Sequence, residues 1–135
     1  MTPCTKGDLA LVAALAISTF APLRAQAQVA EGGGLFLTHC SPCHGPQGKG
    51  DGAMASELLT KPPDLTRIAA RNGGKFPEEM VFRIIDGRRP VKGHGGQGMP
   101  VWGDLFQASN PVKGPGGARA RIDDVVKYLE SIQQK

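Results

Sequence analysis

The sequence is poor in the residues that build a large hydrophobic core. Only 5% of its 135 residues are aromatic, and 40% are apolar in all. Sixteen apolar residues fall within residues 1–27, so about 35% of the remaining 108 residues are apolar, and a quarter of those 108 are Gly or Pro. This composition excludes a large aliphatic core, a transmembrane bundle and a long coiled coil. Either the chain is loosely folded, or a group other than its own side chains fills the centre.

No uncharged run is long enough to span a membrane in the ordinary way. Residues 9–21 carry no charge, but a helix of this length covers only about 20 Å of a ~30 Å hydrocarbon layer. Residues 25–27 then show the small-x-small pattern of a cleavage site. The sequence therefore predicts a cleavable secretory signal over residues 1–27, a mature domain over residues 28–135 and a periplasmic location. The alternative is an uncleaved N-terminal anchor.

Cysteines are scarce as well. The chain has three, and Cys4 precedes the uncharged run, so it is expected to leave with the signal. Cys40 and Cys43 remain, in a compartment that is oxidising. A single bridge between cysteines this close would enclose a tiny loop and stabilise little, which excludes a disulfide scaffold.

Cys40, Cys43 and His44 form the C-x-x-C-H arrangement of c-type haem attachment. Two thiols add across the two vinyl groups of one porphyrin and form thioethers, and His44 then lies under the ring as the proximal iron ligand. The alternatives are a redox disulfide or a zinc site. Zinc needs four ligands, and only His39 and His94 are available to complete the set. The ligand count favours one covalent haem c.

With these residues the chain resembles small monohaem class I cytochromes c over most of the mature region. Residues 61–66 (Lys-Pro-Pro-Asp-Leu-Thr) and 98–103 (Gly-Met-Pro-Val-Trp-Gly) are similar to bacterial cytochromes of the c55x and cbb3-subunit type. The resemblance implies an all-α cytochrome c fold, with three to four short helices and long Gly/Pro-rich loops wrapped around one covalent haem. Such a group would fill the centre that the composition leaves open.

Periodic apolar positions predict where the helices lie. The pattern indicates helices over residues 30–39, 77–86 and 121–132, with one helical turn near residues 55–59. The three glycines at residues 32–34 allow two interpretations, which are close approach to the C-terminal helix and a loose linker. The side chains expected to cover the faces of the ring are Leu65, Phe82, Ile85, Trp102 and Phe106.

The candidates for the distal iron ligand are His39, His94, Met54, Met80 and Met99. His39 adjoins the attachment segment, and Met80 is expected to pack in the core from the face of a helix. Met54 lies only ten residues past the proximal histidine, whereas Met99 lies 55 residues past it, between a Gly-rich stretch and a rigid proline. His94 is the remaining competitor, and the family resemblance favours Met99.

The ligand choice determines the predicted function. An iron held by His44 and Met99 has no vacancy for a substrate, so it exchanges electrons. The sequence therefore predicts a periplasmic single-electron carrier that is not an enzyme and has no catalytic residues. The alternatives are a haem subunit fixed in a periplasmic dehydrogenase or oxidoreductase complex, and a ligand-binding or peroxidatic haem protein. The expected partners are a redox donor and acceptor in the periplasm, met by a monomer or complex subunit that contacts the membrane only through such a partner.

The net charge of +4 and the pI of about 9.2 overstate how basic the mature protein is. Removing residues 1–27 leaves a net charge of +3, and two haem propionates bring the holoprotein nearer to neutrality. Nucleic acid is therefore not implied as a partner. The basic residues near the proposed ligand loop predict a docking surface around the exposed haem edge, formed by Arg88, Arg89 and Lys92. The alternative is an ordinary solvated turn.

Overall fold

The computed structural model describes residues 20–89, 99–109 and 114–134. Within these ranges the α-helices in chain order are α1 (Phe20–His39), α2 (Ser41–His44), α3 (Ile68–Arg71), α4 (Glu78–Asp86), α5 (Trp102–Ser109) and α6 (Gly114–Ser131). Two 3-10 turns, Ala55–Glu57 and Leu65–Arg67, lie in the long connection between α2 and α3. The described residues contain no strand, and the all-α prediction is confirmed.

Helix α4 matches its predicted range. Pro77 caps it, Glu78 and Glu79 lie in its positively polarised first turn, and Gly87 ends it in the left-handed conformation with φ of 89°. The helical turn predicted near residues 55–59 is the 3-10 turn Ala55–Glu57. Both elements were predicted correctly from residue types that are close in the sequence.

The other long helices differ from their predicted ranges. Helix α1 begins at Phe20, ten residues early, and so continues through the predicted cleavage site; residues 1–19 of the predicted signal lie outside the described residues. Helix α6 begins at Gly114, not at residue 121. Helix α5, Trp102–Ser109, was missed. Residues 23–28 of α1 are exposed, so they carry no apolar stripe that a periodicity argument could detect.

The first and last helices cross at close range through glycines. A Cβ at residue 32 would collide with the backbone carbonyl of Asp124, and one at residue 33 would lie 3.3 Å from the Tyr128 ring. Next to this crossing, Phe36 is fully buried, with its ring centroid 5.2 Å from that of Tyr128. The close-approach interpretation of the three glycines is confirmed for Gly32 and Gly33, whereas Gly34 faces open space.

We expect Gly32→Ala to lower the free energy of unfolding of the holoprotein by about 1–3 kcal/mol, because two backbones must separate to admit one methyl group. Gly34→Ala is the matched control. It lies two residues away in the same helix and meets nothing within 4 Å, so it should gain up to ~1 kcal/mol from helix propensity. Denaturant unfolding of both variants measures the difference. Equal effects would contradict the close approach.

The core lies between α6 and the other helices. Its buried apolar residues are Phe36, Ile68, Val81, Phe82, Ile85, Phe106, Ala118, Ile122, Val125, Val126 and Leu129. The C-terminal end is tied to the long loop by hydrogen bonds: the backbone N–H of Ala69 donates to Gln133 Oε1 at 2.8 Å, and Gln133 Nε2 donates to the carbonyl of Leu65 at 2.9 Å. These bonds fix the loop against the last helix.

Among the described residues, no helix combines the length and the apolar character needed to cross a membrane.

Candidate functional site

Cys40, Cys43 and His44 are brought onto one turn by the short helix α2. Cys40 is its N-cap, and its carbonyl accepts hydrogen bonds from the N–H of Cys43 at 3.2 Å and of His44 at 2.9 Å. Pro42 sits in the first turn, where a missing N–H costs no helical hydrogen bond. Both thiols and the imidazole are therefore held close together by local backbone geometry.

The Gly-rich loop after α2 binds the backbone of the attachment segment. The amides of Gly50, Gly52 and Met54 donate to the carbonyls of His44, Cys43 and Pro42 at 2.8, 3.2 and 2.8 Å. The last carbonyls of a helix have no acceptor role within the helix itself, so donors from a neighbouring loop stabilise its end. A Cβ at residue 52 would collide with the backbone of residues 41–43, so only glycine fits this approach. The backbone hydrogen bonds from this loop thus hold the segment that carries His44 in position.

The Pro-Pro-Asp-Leu segment closes this loop. The carboxylate of Asp64 accepts hydrogen bonds from the backbone N–H of Thr66 at 2.9 Å and from its hydroxyl at 2.6 Å, and the hydroxyl bond is the main cause that lowers the pKa of Asp64 below its ordinary value. The N–H of Leu65 donates to the carbonyl of Gly48 at 2.6 Å. Capping by Asp64 therefore holds Pro62, Pro63 and Leu65 at the cavity described next.

A cavity of about 300 Å³ lies against this turn, and Cys40, Cys43, His44 and Met99 all line it. Most of its remaining wall is apolar: Phe36, Leu58, Pro62, Pro63, Leu65, Ile68, Met80, Val81, Ile84, Ile85, Pro100, Trp102, Val125 and Leu129. Helices α1 to α6 all contribute to it. The structure thus brings together the four sequence-predicted site residues.

No disulfide joins Cys40 and Cys43, and each is half-buried. Burial, with a smaller contribution from neighbouring Cys43, raises the pKa of the Cys40 thiol to about 12. Addition of a thiol across a vinyl group consumes its S–H bond, forming one C–S and one C–H bond. His44 is buried, with 7% of its surface exposed, so its imidazole is shielded from bulk water.

The distal-ligand candidates differ in whether their side chains line the cavity. Met54 is 51% exposed and does not line it, whereas Met80 and Met99 do. The prediction that Met80 packs in the core is wrong, because its half-buried side chain faces the cavity. His39 also lies on the wall, where its ring packs 5.3 Å from that of Trp102. His94 lies outside the described residues.

Three of the five side chains predicted to cover the ring line the cavity, namely Leu65, Ile85 and Trp102. The prediction is wrong for Phe82 and Phe106, which are buried in the core and do not line it. Sequence reasoning missed Phe36 on α1 and, on α6, Val125 and Leu129. Their apolar spacing predicted burial, but it did not distinguish the core from the cavity.

The charged groups of the cavity differ from those predicted. Lys61 and Arg71 line it, whereas Arg88 lines a separate surface cleft beside Phe82 and Arg89 lines neither. Arg88 is ion-paired with Asp86, and its guanidinium lies 5.8 Å from the centre of the Phe82 ring. The cations at the cavity therefore come from the loop before α3 and from α3, not from the turn after α4. Lys92, the third predicted cation, lies outside the described residues.

This set of side chains fits haem c. Two neighbouring thiols suit two vinyl groups, an imidazole and a thioether suit the two axial positions of an iron, and apolar walls suit the faces of a porphyrin. Lys61 and Arg71 supply positive charge for its two propionates. Zinc is less well matched, since the described residues contain no cluster of three or more His, Cys, Asp or Glu that would hold a metal ion without a porphyrin.

Comparison with known proteins agrees with the donor set. The family model described as cytochrome c matches residues 29–133 of the chain. No solved structure matches the chain significantly. The match is to the family as a whole, and the c55x or cbb3-subunit subtype stays a prediction. The chain belongs to the cytochrome c family, as a small class I member with covalently bound haem c and a role in electron transfer.

Proposed function

We propose that the chain is a periplasmic single-electron carrier whose one haem c is held by Cys40 and Cys43 and ligated by His44 and Met99. The observation that supports this best is that these four side chains line one apolar cavity. Haem c, when bound, supplies an iron that alternates between the ferrous and ferric states. The chain's own residues attach it, ligate it and shield it.

Each of the four residues has its own role in this proposal. Cys40 and Cys43 hold the porphyrin through thioethers, so that it is not lost between reactions. His44 supplies the proximal nitrogen from the end of α2, and Met99 supplies the distal sulfur. A methionine sulfur raises the reduction potential relative to a second histidine. With His44 and Met99 as its ligands, the iron would have no vacancy for a substrate and would only exchange electrons.

The cavity wall tunes the same reaction. Apolar side chains such as Leu65, Ile85 and Trp102 keep water from the iron and lower the local dielectric constant. A low dielectric disfavours the state with the larger net charge at the iron, which is the ferric one, so it raises the potential further. Lys61 and Arg71, which also line the cavity, would balance the charge of the propionates.

The proposed partners are a redox protein donor and a redox protein acceptor in the periplasm. The export signal predicted over residues 1–27 supports this location. The protein meets its partners as a monomer or as a subunit of their complex, and it reaches the membrane only through them.

We expect protein purified from the periplasm to have the mass of residues 28–135 plus one haem that resists acid-acetone extraction. Its folded ferrous form should not bind carbon monoxide, because both axial positions are occupied. Intact-mass measurement and carbon monoxide difference spectra test these points. Extractable haem would contradict covalent attachment, and a mass that retains residues 1–27 would indicate an uncleaved anchor. Tight carbon monoxide binding would instead favour a ligand-binding or peroxidatic haem protein.

A further inference from the structure

The end of α4 and the start of α5 meet through two glycines. Gly87 ends α4 with φ of 89°, and a Cβ there would lie 2.6 Å from the Val101 side chain. A Cβ on Gly103, in the first turn of α5, would collide with the Asp86 carboxylate and lie 2.9 Å from the Asp86 carbonyl oxygen. We call these four residues, Asp86, Gly87, Val101 and Gly103, the α4–α5 junction.

Asp86 is the polar centre of this junction. Its side chain is only 18% exposed, although it is ionisable and lies in no axial or attachment position of the haem site. One carboxylate oxygen pairs with the guanidinium of Arg88, and the other lies against Gly103. A carboxylate at the first turn of a helix is favourable, because the unpaired N–H groups there carry partial positive charge. Asp86 therefore attracts the start of α5 to the end of α4.

The junction lies next to the segment that carries Met99. Met99 is two residues before Val101, and rigid Pro100 separates them. One residue beyond Val101, Trp102 lines the cavity and packs on His39, with ring centroids 5.3 Å apart. The backbone that leads from the junction to Met99 is thus short and has little freedom.

We propose that the α4–α5 junction positions Met99 for the iron, with Asp86 and Gly103 as positioning residues that touch neither iron nor porphyrin. The inference rests on the proposed ligation by Met99. A distal sulfur competes with water and hydroxide for the iron, so a ligand held to within about 0.5 Å binds, and a displaced one is replaced. Enlarging residue 103 pushes α5 away from α4 and moves Met99 with it.

The test compares Gly103→Ala with Gly34→Ala in the holoprotein. Both add one methyl group to a helical glycine, but residue 34 meets open space and residue 103 meets Asp86. For Gly103→Ala we expect a weaker sulfur-to-iron band in the ferric protein. As the pH is raised, the band should be lost at a lower pH than in the wild-type protein. The ferrous protein should bind carbon monoxide at concentrations at which the wild-type protein binds none. Gly34→Ala should change none of these.

A second substitution separates positioning from general damage. Asp86→Ala removes the carboxylate that a methyl group at residue 103 would strike, so Asp86→Ala combined with Gly103→Ala should recover part of the band lost in Gly103→Ala alone. If Gly103→Ala does not yield holoprotein, Asp86→Ala alone should still weaken the band, because the attraction to α5 is lost.

The outcomes keep the two proposals apart. The positioning role would be overturned if the wild-type protein shows the band and the variants at residues 86 and 103 keep both its intensity and the pH at which half of it is lost. This holds whatever happens to the thermal stability of the variants. Equal changes in Gly34→Ala would overturn it too. A wild-type protein that lacks the band would overturn ligation by Met99 itself.

Discussion

Replacing Met99 by Ala should abolish the weak long-wavelength sulfur-to-iron band of the ferric protein and the strongly upfield-shifted methionine signals of the reduced NMR spectrum. It should also lower the reduction potential and let carbon monoxide bind the ferrous iron. The shift in potential should be large, since axial ligands set haem potentials over a range of roughly 0.8 V. The haem should stay attached, because Cys40 and Cys43 are unchanged.

Met80 provides the sharpest comparison, because its side chain lines the same cavity as that of Met99. Met80→Leu nearly conserves volume, so we expect it to keep the band and the potential at a packing cost under about 1.5 kcal/mol. Loss of the band in Met80→Leu, with Met99→Ala unchanged, would move the distal ligand to α4. Loss in His94→Ala alone would indicate a bis-histidine iron of low potential, and partners on the low-potential side of respiration.

The features that the sequence predicted well depend on neighbouring residues. The spacing of Cys40, Cys43 and His44 suffices to place them on one turn, because the helical hydrogen bonds of α2 span only four residues. Helix α4 carries its own stop at Gly87 and its own acidic start at Glu78. In both places the local chain chemistry and the final fold agree, so reading residue types and spacings was enough.

The features that were missed depend on distant residues. The bond between Gln133 and the backbone of Ala69 joins positions 64 residues apart, and nothing in either local sequence indicates it. Phe82 has the pattern of a buried residue, but burial alone does not say whether a side chain faces the core or the haem cavity. Periodicity gives the buried face of one helix, whereas the choice between two neighbours on that face depends on how several helices pack.

Without haem, the chain should be largely disordered. The cavity measures about 300 Å³ and its wall is mostly apolar, so without haem that wall is exposed to water at a cost of roughly 25 cal/mol per Å². Whole domains are stable by only roughly 5–15 kcal/mol. Six helices share the cavity wall, and Val125 and Leu129 belong both to that wall and to the core. The core of the haem-free chain therefore cannot close around α6 without losing its native packing.

Far-UV circular dichroism of residues 28–135 carrying Cys40→Ala with Cys43→Ala, purified free of haem, measures this effect. We expect low helicity and no cooperative thermal transition. The Met99→Ala holoprotein is the matched control, since it loses an axial ligand but keeps the ring in the cavity, so it should remain helical. A cooperative, helical haem-free chain would mean that the crossing of α1 and α6 at Gly32 is stable by itself. The haem would then be added to a finished fold, whereas the scarcity of large apolar side chains indicates that it is the missing part of the core.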